Sequence, residues 1–150
     1  MATAEMFQAS DLSTHRRDFI GAGRAGGALL RDKDGFGLIM VPLGTWERVT
    51  QVSAVALNVL RTEAALARPD VRAAEIPFSW LLEFDEEDRQ EFLSEIRDAL
   101  SVAESAEDFE PVQACIREWT LTAKALSDPT RRAILTGTGD GEYDEVARPG

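Results

Sequence analysis

A chain of 150 residues suits one domain or two very small ones, and an apolar fraction of 44% allows a real core. One cysteine, Cys115, and one histidine, His15, exclude an internal disulfide, a cysteine cluster and a multi-histidine metal site. The net charge of −11 is unevenly spread: residues 1–65 balance seven acids with seven bases, while residues 66–150 carry twenty acids and nine bases.

No run approaches the roughly 18 apolar residues that span a bilayer. The opening MATAEMFQAS has no basic region followed by an apolar block. A cytoplasmic protein with no membrane partner is expected.

AEMFQ, residues 4–8, reads as a short strand. Ser10 is placed to cap a helix, with Asp11 favourable in its first turn. That helix runs through Leu12, Phe19 and Ile20 and ends in the glycines of 21–27. ALLRDKDGFGLIMVPL reads as two strands about an Asp34-Gly35 turn, with Pro42 at the far end. Trp46, Val49, Val52, Ala56, Leu60 and Ala64 recur at helical steps and predict a long helix from about Thr45 to Ala67.

ARPDVRAAEIP reads as a linker. A third helix is expected from Asp85, with Phe92, Leu93, Ile96, Leu100 and Ala103 on one face. A fourth begins at Pro111, where proline suits the first turn, and carries Val112, Cys115, Ile116, Trp119, Ala123 and Leu126. Asp128-Pro129 caps a last short helix, and the polar, Gly-rich residues 137–150 are expected to be disordered. The fold class expected is α+β: a β-α-β-β-α domain over 1–67, then an acidic helical domain over 77–136.

Gly21-Ala22-Gly23-Arg24-Ala25-Gly26 matches the G-x-G-x-x-G of dinucleotide-binding loops. Such a loop lies between a buried strand and the helix start that holds the pyrophosphate. Here the glycines follow a helix and precede a strand, and the βαβ crossover of a parallel sheet is not expected. They read as a helix C-terminus, so no cofactor is called for.

The acidic run Glu83, Asp85, Glu86, Glu87 and Asp88 reads as a solvated helix start rather than an acid–base or cation site. Cys115 lies on an apolar stripe and reads as a buried thiol. His15, alone on a polar segment, reads as exposed, with DNA or partner contact preferred to catalysis. No nucleophile–base pair or metal set is legible, so an enzyme is not expected. Phe78, Trp80 and Trp119 suit either a binding groove or the core.

Arg16, Arg17, Arg24, Arg31 and Lys33 fit a mixed-charge solvated face, or a phosphate-contacting surface beside Ser10, Ser13 and Thr14.

FQASDL at the first helix, Ala25-Gly26 closing it, strand, Asp34-Gly35 turn, strand, and VPLGTWERV entering the next helix stand in an order that resembles the Phd/YefM ("prevent-host-death") antitoxin family. The resemblance covers roughly residues 5–65. It implies a homodimer on a small sheet that contacts operator DNA from the first helix; residue by residue, that gives Ser10, Ser13, Thr14, Arg16 and Arg17. It further implies that the C-terminal region blocks a cognate toxin. The chain departs from the family at Arg16, where an apolar residue is usual, and at Ser13-Thr14, where a basic pair is usual. Residues 77–136 are similar to a small acidic helical domain found in actinobacterial proteins.

The function expected is a type II antitoxin and autorepressor, with Trp80, Phe84, Phe92, Ile96 and Trp119 as partner-contacting residues. The alternative is a dimeric adaptor that binds another protein and not DNA.

Overall fold

The computed structural model describes residues 4–135 and 137. The fold is α+β, with one small sheet and mostly helix. The expected disordered tail, apart from Gly137, lies outside the described residues.

Strand β1 (Glu5–Gln8) leads into a 3₁₀ turn, Ala9–Ser13, and then helix α1 (Arg16–Arg24). Ser10 is not the cap expected of it: it lies inside the turn, whose cap is Gln8, two residues earlier, with the Gln8 backbone N–H donating to the Asp11 carboxylate at 2.8 Å. α1 runs through Gly21 and Gly23 before stopping, and its last turn lies against the Met40 side chain. Gly23 is buried, and a Cβ there would lie 2.1 Å from Met40 Cε. Gly26, at φ +139°, then turns the chain into β2 (Ala28–Arg31).

β2 pairs with β1 in parallel, Glu5 opposite Ala28 and Gln8 opposite Arg31. This corrects the expectation that no parallel crossover exists: α1 is that crossover. The glycines nonetheless close the C-terminal end of α1, the wrong pole of a helix for a phosphate. β3 (Gly37–Met40) returns antiparallel to β2 through the Asp34-Gly35 turn, in which Asp32 accepts the N–H groups of Asp34 and Phe36. Phe7 and Ala28 are buried in this unit, and Phe7 meets Phe19 edge-on at 5.4 Å.

Helix α2 (Leu43–Leu66) joins the sheet unit to the helical core. Its Val52, Val55, Val59 and Leu66 pack with α3 (Glu86–Ser105) and α4 (Glu110–Ser127). A domain boundary at residue 67 therefore cuts α2 away from its own packing partners. The segment read as a linker is pinned: Ile76 is buried, as is Phe78 just after it, and Glu75 pairs with Arg68 and Arg72 around a 3₁₀ turn at Ala73–Glu75. A second 3₁₀ turn, Ser79–Glu83, delivers Leu81 and Phe84 into the helical core.

Asp85 caps α3 by accepting from Asp88 N at 3.0 Å, and Pro111 sits in the first turn of α4. The short α5 (Pro129–Leu135) follows, with Asp128 accepting from Thr130 N at 3.0 Å. Phe92, at the centre, meets Phe78, Trp80 and Trp119 at 5.4, 4.9 and 5.8 Å.

Candidate nucleic-acid and partner interfaces

Ser10 and Ser13 lie in the first 3₁₀ turn, where the Ser13 hydroxyl donates to the Ser10 carbonyl at 2.8 Å. Thr14 Oγ1 and His15 Nδ1 are 2.9 Å apart. Arg16 and Arg17 then open α1, the end of a helix that disfavours cations unless an anion sits there too. Ser10, Ser13, Thr14, Arg16 and Arg17 are all exposed.

The parallel register adds to them. It sets Arg31 beside Gln8, at the sheet end from which the Ser10 turn departs. Arg24 closes the opposite end of α1.

The cations of residues 16–33 share one property. Among the described residues, none of Arg16, Arg17, Arg24, Arg31 and Lys33 lies within ion-pair distance of a carboxylate. Arg48, Arg68, Arg72, Arg89, Arg97 and Arg117 all do, whereas Arg61 and Lys124 do not. Two of the nearby carboxylates, Asp11 and Asp32, are engaged by backbone N–H groups instead. A charge-neutral segment thus displays unpaired cations.

The proposed partner-contacting residues divide. Phe92 and Ile96 are fully buried, so they hold the core and are closed to a partner in this fold. Their burial follows from a helix whose apolar stripe is covered by α2 and α4 together. Trp80 is half-buried beside Phe92. Phe84, 5% exposed, and half-buried Trp119 reach a groove of about 530 Å³ between α3 and α4.

Asp88 and Glu95 of α3 and Glu118, Thr122 and Leu126 of α4 complete its lining. Trp119 Nε1–H donates to Glu95 Oε2 at 2.6 Å across the groove. Sequence reasoning missed Asp88, Glu95, Glu118, Thr122 and Leu126 as a set. A signal existed: Asp88 and Glu95 are seven apart, and Glu118 and Thr122 four apart, so each pair shares a helix face.

Cys115 sits one turn before Trp119. Burial, then the charges of Glu95 and Glu118, push its thiol from 9.0 up to about 11. Among the described residues no group of three or more His, Cys, Asp or Glu is placed to hold a metal ion. No helix there is long and apolar enough to cross a membrane.

A protein-family model described as a family of unknown function, DUF6247, matches residues 59–148. No curated protein and no solved structure matches the chain. The matched span begins at Val59, on the stretch of α2 buried against α3 and α4, and takes in the acidic helices and the groove. The chain belongs to the DUF6247 family.

Proposed function

We propose that the chain is a dimeric antitoxin-type regulator, with operator DNA held by its first 33 residues and a basic protein toxin held by its acidic helices. The observation that carries this reading is the run of five exposed cations between Arg16 and Lys33, unpaired among the described residues. Arg48, Arg68, Arg72, Arg89, Arg97 and Arg117, by contrast, are neutralised within the fold. Ser10, Ser13, Thr14, Arg16 and Arg17 form the DNA-contacting set, joined by Arg31 through the sheet register. The acidic helical unit repels nucleic acid and attracts a basic surface, which speeds and directs protein association.

A homodimer supplies the second set of phosphate contacts. α2 carries Leu43, Trp46, Val49, Leu57 and Leu60 exposed along one side, opposite the face packed on the helical core. β3 is an edge strand with Leu38 and Ile39 exposed. Surface of this kind is what a second copy covers.

One observation favours the adaptor alternative. The helical core is complete, with Phe92, Leu81, Ile96 and Val112 fully buried, so this half needs no toxin in order to fold.

Titrating the full chain with the DNA upstream of its own gene, over a range of salt, tests the reading. A sequence-selective complex is expected, whose salt slope falls by about one for each phosphate contact removed in Arg16→Gln/Arg17→Gln. Binding absent at low salt supports the adaptor, and binding unaffected by that double substitution removes Arg16 and Arg17 from the DNA-contacting set.

A further inference from the structure

The groove between α3 and α4 has a specific composition. Its walls are aromatic, from Trp119 and the edge of Phe84, and aliphatic, from Leu126. Its rim carries three carboxylates, Asp88, Glu95 and Glu118, and among the described residues no lysine or arginine lines it. Among the described residues none of the three carboxylates is in an ion pair. Glu95 accepts the Trp119 indole N–H through one oxygen, which fixes both side chains and leaves the second oxygen for another donor.

We propose that this groove seats an arginine side chain from a basic protein partner, its guanidinium lying on the Trp119 ring among the Asp88, Glu95 and Glu118 carboxylates. The charges are complementary, and the shape narrows the choice. A planar guanidinium stacks on an indole and offers a fork of donors to carboxylates, which an ammonium does not. The methylene stem of arginine suits the Leu126 end of the groove. The volume of about 530 Å³ lies within the range of ligand-holding clefts and leaves room for the residues that flank the arginine. The negative field is already felt at Cys115, whose thiol is raised in part by Glu95 and Glu118.

The proposal rests on reading the acidic helices as the partner-binding surface, and its test needs no toxin. The ¹⁵N-labelled full chain is titrated with a short Arg-Ala repeat peptide, and with the same peptide carrying Lys or Gln for Arg. Three indole N–H signals are available, and the Trp119→Phe variant identifies the relevant one. With the arginine peptide, saturable shifts are expected at the Trp119 indole and at the Glu95 and Glu118 amides. The lysine peptide binds more weakly and the glutamine peptide leaves the signals in place. In Glu95→Gln/Glu118→Gln, surface substitutions that keep the Trp119 acceptor, affinity falls tenfold or more, the scale of lost charge-assisted hydrogen bonds.

Equal shifts with the glutamine peptide overturn the proposal. So do shifts spread evenly over the acidic residues of α3, or affinity unchanged in the double variant. A groove that binds arginine in a chain that neutralises nothing retires the toxin reading and keeps the groove. Neutralisation that survives Glu95→Gln/Glu118→Gln retires the groove and keeps the toxin reading.

Discussion

Trp119 and Glu95 join α4 to α3 through one hydrogen bond, indole N–H to carboxylate oxygen, of 2.6 Å. The same indole meets Phe84 edge-on at 5.1 Å and Phe92 at 5.8 Å, so it is core on one side and groove on the other. Trp119→Ala removes both roles and is expected to cost about 3 kcal/mol in urea unfolding. Trp119→Phe keeps the ring packing, loses the hydrogen bond and costs about 1 kcal/mol. Glu95→Gln retains an acceptor and stays within about 0.5 kcal/mol of the parent.

The glycine-rich stretch separates into three kinds of glycine. Nothing lies within 4 Å of a Cβ at Gly21, so Gly21→Ala is expected to stabilise by about 0.5–1 kcal/mol through helix propensity. Gly23→Ala earns the same propensity but drives a methyl into Met40, which must move, and it falls below Gly21→Ala by about 1–3 kcal/mol. Gly26→Ala forces φ +139° on a residue with a side chain and costs about 1–3 kcal/mol. Thermal unfolding of the three variants checks the order. Equal stabilities would contradict the packing role of Gly23.

What could be read before the structure was local. The Asp34-Gly35 turn, the Asp85 cap and the proline at the head of α4 each depend on neighbours within a few residues. The parallel pairing of β1 with β2 could not be read, because Glu5 and Ala28 are brought together only by the length and direction of α1. Arg31 joined the Ser10 cluster for the same non-local reason. Apolar periodicity marked Phe92 and Ile96 but could not tell a face covered by two other helices from a face open to a partner. The groove was hidden because its two walls are twenty and more residues apart in sequence.

Glu107 stands at the C-terminus of α3 with φ +56°, where glycine is the usual residue. It reaches back to Arg48 of α2 at 3.3 Å; the Arg48 side chain is 15% exposed, but the carboxylate is 77% exposed and solvent screens the pair. Glu107→Gly is expected to stabilise by about 0.5–1 kcal/mol, since relief of the left-handed strain outweighs the lost pair. A denaturation midpoint lower than that of the parent would show the ion pair to be the stronger term.

Cys115 titrates late, near 11 rather than 9.0. At pH 8 its thiolate fraction is about a hundredfold below that of an ordinary thiol, and alkylation is slower by about tenfold, because a thiolate of higher pKa is the stronger nucleophile. The sign for stability follows. The folded state holds the proton more tightly than the unfolded state, so this thiol leaves stability unchanged below about pH 9. Stability then declines as pH rises from 9.0 towards 11. Glu95→Gln/Glu118→Gln lowers the midpoint, leaving the part due to burial. Alkylation rates against pH, read by mass spectrometry, check both statements.

The exposed stripe on α2 gives a direct prediction about assembly. Trp46 is 58% and Leu60 61% exposed in the single chain. Leu57→Glu/Leu60→Glu places charge on the stripe without touching the buried face, and is expected to yield a folded monomer by sedimentation. DNA affinity is expected to fall with it, because half of the phosphate contacts depart. A parent chain that sediments as a monomer would contradict this.

The measurement that tests the division of labour most directly is affinity capture of the tagged full chain from its native host, followed by expression of whatever it holds. The account predicts one small basic protein in stoichiometric amount, growth-inhibitory when expressed alone and neutralised by the parent chain. Neutralisation is weaker with Glu95→Gln/Glu118→Gln. Recovery of no basic protein, or of one whose expression is harmless, would contradict it.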